Sequence, residues 1–182
     1  MTDWVIPHNL NRTISSRRHW LDAPLRGRDV IKMHRPDGPY RVLRDAMAKV
    51  VSDEEAATAL FQDQDLTADV GPWSLVRAAL HASDSTPHIK ASKVTKVLHR
   101  KRPALVPIFD SKVASYYGVS AGKPWLFWPL IQADLRAHGD RLQRLARDYE
   151  TSDGRRMTAL RALDIIVWEH CRGCEPTRGA GS

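Results

Sequence analysis

Apolar residues recur along this chain at helical spacing, and short polar breaks separate the runs. From Tyr40, Val42, Leu43, Met47, Val50 and Val51 fall three to four residues apart, which predicts an amphipathic helix. Ser52-Asp53-Glu54-Glu55 has capping-box form and predicts a second helix through Ala56, Ala57, Leu60 and Phe61. Gly71-Pro72 punctuates, and Leu75, Val76, Ala79 and Leu80 predict a short helix over 73–81. Thr86-Pro87 pairs an N-cap with a first-turn proline, so by capping rules the next helix runs from Pro87 to about His99. On its wheel Ala91, Val94, Val97 and Leu98 share one side, and Lys93, Lys96 and Arg100 share another.

Arg102-Pro103 ends that helix, and Leu105 to Phe109 forms an apolar connector. Asp110 then precedes a short helix over 111–117 that Gly118 closes. Pro124 opens another, with Trp125, Phe127, Trp128, Leu130 and Ile131, which Gly139 interrupts and Leu142, Leu145 and Tyr149 resume. A last helix over about 155–171 carries Leu160, Leu163, Ile165, Ile166, Val167 and Trp168, and Gly173 ends it. No convincing period-2 strand pair occurs, so the expected fold is all-α. The expected organisation is an irregular N-terminal arm over 1–39 with a short helix near Trp20, a helical domain over 40–173, and a disordered tail over 174–182.

Composition narrows the class. At 182 residues the chain suits one domain, and no run approaches the length of a membrane span. The N-terminus lacks a charged start followed by an apolar block, so the expected location is cytoplasmic. Cys171 and Cys174 stand as C-x-x-C beside His170, with no second pair to complete a zinc site, so reduced helix-end thiols and no metal are expected.

Charge alters the picture more. Between His88 and Lys112, seven cations (Lys90, Lys93, Lys96, Arg100, Lys101, Arg102 and Lys112) face one carboxylate, Asp110, in a chain whose formal net charge is +7. No acid occurs from Pro87 to Phe109. An ordinary solvated helix face mixes both signs, whereas local positive charge at this density suits a polyanion. The expected partner is nucleic acid, DNA in particular, with no membrane. Asp110 follows the apolar run Val106-Pro107-Ile108-Phe109, where an acid is a helix cap, a working group, or both. His99 reads as a solvated helix-end residue able to contact phosphate, and Asp164 as an i,i+3 partner of Arg161.

The segment Thr86 to Tyr117 resembles the core of the helix-hairpin-helix DNA glycosylase superfamily. Laid without gaps, Thr86-Pro87-His88-Ile89-Lys90 falls on that family's L-P-G-V-G hairpin and Ala91 to Leu98 on its second helix. Asp110 follows Leu98 by twelve residues, the family's spacing to its catalytic acid. Pro107-Ile108-Phe109-Asp110-Ser111-Lys112-Val113 looks like the P-I-L-D-G-N-V of the adenine-removing branch. The match covers about 32 of 182 residues. The whole chain also resembles an uncharacterised actinobacterial family through Lys101-Arg102-Pro103, Pro107 to Asp110, Leu163-Asp164-Ile165 and Trp168, a likeness that supplies no activity.

The first resemblance implies two helical lobes around a cleft and monofunctional hydrolysis of a base–sugar N-glycosidic bond. Asp110 would stabilise the sugar cation and position water. The seven cations would grip the backbone, and Tyr116, Tyr117, Trp125 and Trp128 would wall a pocket for an extruded base. Each of these aromatics, taken singly, reads first as a core residue. The chain also departs from the pattern. The hairpin glycines fall on His88 and Lys90, the strand-cleaving lysine falls on Ser92, and the four-cysteine iron–sulfur signature is absent, so no cofactor is expected. Two rival readings stand beside the enzyme: a nucleic-acid-binding module that keeps the fold without the reaction, and an N-glycosidase acting on a free nucleotide.

Overall fold

The computed structural model describes residues 35, 37–120, 123–149, 154 and 156–173. Most of the 1–39 arm, the helix expected near Trp20 and the 174–182 tail lie outside the described residues. Within them the fold is all-α: seven α-helices and no strand. They are α1 (Arg41–Ser52), α2 (Glu54–Thr58), α3 (Pro72–Asp84), α4 (Ala91–Lys101), α5 (Ser111–Tyr116), α6 (Phe127–Arg147) and α7 (Ala159–Gly173), with 3-10 turns at Phe61–Asp63 and Pro124–Leu126. None is long and apolar enough to cross a membrane.

The helices pack in two sets. In the first, α1 lies along α3, and α4 packs on both; in the second, α7 packs against α5 and α6. Leu43, Met47 and Val50 bury one stripe of α1 at spacings of four and three, and Val76 and Ala79 do the same for α3. An unbroken file of aromatic rings joins the two sets. Phe61 meets Trp73 at 5.0 Å, Trp73 meets Trp128 at 5.7 Å, Trp128 meets Phe109 at 5.8 Å, and Phe109 meets Phe127 at 5.3 Å. Tilted and edge-on contacts of this kind add attraction beyond the area they bury.

Several element boundaries differ from the pattern, each for a local reason. Ser52 is the last residue of α1, and Asp53 caps α2 instead, its carboxylate accepting from the Ala56 N–H at 2.7 Å. Helix α2 stops at Thr58 because Phe61 turns into the core and its N–H donates to the Ala104 carbonyl at 2.9 Å. Helix α3 is longer than 73–81, with Gly71 at φ 87° admitting Pro72 at its first turn. Helix α4 begins at Ala91, not Pro87, because the Thr86 hydroxyl donates back to the Ala82 carbonyl at 2.7 Å and so does not cap forward. Val97 is 39% exposed, and Thr95 and His99 take the inward positions.

Gly139 does not interrupt α6, which runs unbroken for 21 residues. Gly118 does close the segment after α5, at φ 67°. Helix α7 starts at Ala159, where the Thr158 hydroxyl accepts the Arg161 N–H at 3.1 Å.

Candidate functional site

Helices α3 and α4 are joined by a tight turn over 85–90, and its stereochemistry is unusual. His88 has φ 63°, the one non-glycine residue with positive φ among those described. A left-handed residue costs roughly 1–2 kcal/mol unless it is glycine, so the surroundings must hold it. Ile89, 2% exposed, anchors the turn in the core, and the Tyr40 hydroxyl donates to the Pro87 carbonyl at 3.3 Å.

Two lysines tie down carbonyls of the turn and of the end of α3. Lys90 Nζ donates to the Asp84 carbonyl at 2.7 Å, and Lys93 Nζ donates to the His88 carbonyl at 2.9 Å. No side chain caps α4, and the N–H groups of Ala91 and Ser92 meet no acceptor among the described residues. The turn therefore offers unsatisfied N–H donors, the positive end of an 11-residue helix and two ammonium groups.

The remaining cations of the stripe divide. Arg100 and Lys101 are exposed at the last turn of α4. Lys96 leans inward, 15% exposed, and its Nζ lies 3.2 Å from Asp110 Oδ2. Arg102 turns back to the carbonyls of Val51 and Asp53 and staples the end of α4 to the end of α1. Lys112 Nζ sits 5.7 Å from the centre of the Trp168 ring. His99 is buried beneath this end of the helix, its Nδ1 bonded to the Val106 carbonyl at 2.7 Å, which corrects its reading as a solvated phosphate contact.

Asp110 caps α5, with Oδ1 accepting the Lys112 N–H at 3.0 Å. Its side chain is 19% exposed. Just behind it, on α7, Asp164 is buried and paired with Arg161, as the i,i+3 spacing predicts. Burial pushes the Asp164 carboxyl up to about 6; the Asp110 charge pushes the same way, while Arg161 and Lys96 oppose it. Two carboxylates and two cations from α4, α5 and α7 thus meet where the two helical sets join. Asp110 lines neither the depression over α6 nor the two beside α1.

The aromatic candidates do not form one wall. Trp128, 6% exposed, belongs to the core file, whereas Trp125 is 60% exposed on the turn before α6. Tyr116 and Tyr117 meet edge-on at 5.0 Å, and the Tyr117 hydroxyl donates to Asp134 Oδ2 at 2.6 Å. Burial and that bond raise the Tyr117 pKa, so it stays protonated. Cys171 Sγ lies 3.5 Å from the Lys112 carbonyl; Cys174 falls outside the described residues.

Sequence reasoning passed over a second group, Arg136, Arg141 and Arg144, which line the depression over α6. Its signal was weak because Asp134, Asp140 and Asp148 are interspersed with these arginines along the helix and at its end. No curated protein and no solved structure matches the chain. A family model does match, over residues 38–171, and the chain therefore belongs to DUF6308, a family of unknown function.

Proposed function

We propose that the protein binds the phosphate backbone of nucleic acid, DNA in particular, through the α3–α4 turn, as a binding module and not as an enzyme. The turn's conformation carries this reading. His88 adopts the left-handed geometry at a position where the glycosylase resemblance puts glycine. A left-handed residue at this position supports a hairpin-like course of the chain. The open N–H groups of Ala91 and Ser92 suit a phosphate oxygen, and Lys90 and Lys93 mask the carbonyls that would repel one.

Asp110 favours a structural role. Its carboxylate caps a helix and is compensated by Lys96, so it would stabilise a developing sugar cation less well than an unpaired carboxylate. Base–sugar hydrolysis remains the second reading, favoured by one observation: Asp110 keeps some contact with solvent beside an acid whose pKa is displaced.

The test is duplex DNA affinity against salt. Lys90, Lys93 and Lys101 are the cations placed to meet phosphates, and at about 0.9 per contact they give a log–log slope of about −3. A flat response would remove the binding reading. A base-release screen on lesion-bearing DNA separates the two readings: release that Asp110→Asn abolishes would establish the enzyme.

A further inference from the structure

We infer that the groove over the middle of α6 is a site for a small phosphate ester bearing hydroxyl groups, a sugar phosphate or a nucleotide. The groove encloses about 530 Å³, a volume typical of small-ligand sites, roughly 300–1,000 Å³. It lies between α6, the Phe61–Asp63 turn and the start of α7, and shares no residue with the α3–α4 turn. It goes beyond the nucleic-acid reading and does not depend on it.

Three guanidinium groups line it. Arg136 is fixed, its Nε donating to the Gln62 carbonyl at 2.8 Å. Arg141 and Arg144 are exposed and make no ion pair or side-chain hydrogen bond to a described residue, although Asp63 and Asp140 line the same groove. A guanidinium presents two parallel N–H donors matched to two phosphate oxygens. The two carboxylates are acceptors only, so they disfavour a bare anion and favour a ligand that also carries hydroxyl donors. Leu135 and Ala159 give the groove a small apolar base.

Gly139 is an independent sign. It sits mid-helix on the groove, where glycine lowers helix stability, and a Cβ built there would meet nothing within 4 Å. Among the described residues, no neighbour requires a glycine at that point. Its effect is to keep one wall of the groove bare, which admits a close-lying ligand.

The experiment is calorimetric titration of the full chain with AMP, ribose 5-phosphate and adenosine. AMP, ribose 5-phosphate or both should bind in the micromolar to low millimolar range, and adenosine should not. If AMP alone binds, the base contributes; if both bind, the sugar phosphate suffices. Arg141→Ala with Arg144→Ala should weaken binding at least tenfold. Gly139→Gln, which keeps a helix-forming residue, should abolish binding while the melting temperature holds. Adenosine binding as well as AMP, no probe binding at millimolar concentration, or binding indifferent to these substitutions would overturn the site. A double arginine variant that lowers DNA affinity and leaves AMP binding untouched would overturn it too.

Discussion

The two ends of α4 carry the same residue types and use them in opposite ways. At the N-terminal end, Lys90 and Lys93 satisfy carbonyls of the adjoining turn and of the end of α3 and keep their charge at the surface. At the C-terminal end, Lys96 faces Asp110 and so joins the two helical sets, while Arg102 reaches the carbonyls at the end of α1 and ties α4 to it. A count of seven positive charges therefore overstates how many face a partner. Arg100 and Lys101 at the same end stay exposed, so the direction a side chain takes, and not its place in the sequence, decides which lysine or arginine is structural.

The sharpest way to break this contrast is to remove one cation from each end. Arg102→Ala strands the carbonyls of Val51 and Asp53, and charge-assisted bonds of this kind contribute about 1.5–3 kcal/mol each, so a loss of about 3–4 kcal/mol is expected. Lys93→Ala removes a bond at the surface and should stay within about 1 kcal/mol. Urea denaturation measures both. Equal losses would erase the distinction between the ends.

The junction should also show itself in pH. The folded-state pKa of Asp164 lies at about 6, above its ordinary 3.8, so the folded protein binds more protons than the unfolded chain between those values. Stability from this group is greatest below its unfolded pKa and is lost as pH rises through 6. The loss totals about 3 kcal/mol at roughly 1.4 kcal/mol per unit. Because other carboxylates titrate in the same window, the measure is the difference between wild type and Asp164→Asn across pH 4 to 7. A difference that does not change with pH would show that the junction tolerates both charge states alike.

Binding probes the other end. Lys90→Ala with Lys93→Ala should reduce the salt slope for DNA by about 2. Lys96→Ala should leave it nearly unchanged, because Lys96 already has Asp110 as its partner. A Lys96 effect as large as that of the pair would place the DNA surface on the flank of α4 and not at its N-terminal turn.

The order of the helices and most of the core stripes of α1 and α3 were legible in the sequence, because period and punctuation are local properties; Val42, counted in the α1 stripe, is 64% exposed. The inward turn of His99 and Arg102 was not. Each depends on a carbonyl supplied by another part of the chain, Val106 in one case and Val51 with Asp53 in the other, and no spacing rule encodes that. The α3–α4 turn was masked by its own capping signal: Thr86-Pro87 reads forward as a helix start, yet the Thr86 hydroxyl bonds backward to Ala82. The charge stripe suggested a class of partner but not the division of labour within it. The α6 groove was hidden because interleaved acids hold its sequence near neutrality.

The smallest effect concerns two residues whose backbones suit one another's side chains. His88 holds a left-handed φ of 63° that glycine would accept without strain, whereas Gly139 lies in a helix with open space where alanine's Cβ would go. Gly139→Ala should stabilise the protein by about 0.5–1 kcal/mol, since it restricts the unfolded chain and favours the helix. His88→Gly relieves strain of roughly 1–2 kcal/mol but enlarges the entropy of the unfolded turn, so its net gain should be smaller, about 0.5 kcal/mol. The two changes differ in what they do to binding. Glycine at 88 lets a phosphate approach the turn as closely or more closely, so DNA affinity should hold or rise. Affinity that falls despite a stable fold would mean the exposed His88 imidazole itself contributes to the contact, and the turn would then bind by side chain as well as by backbone.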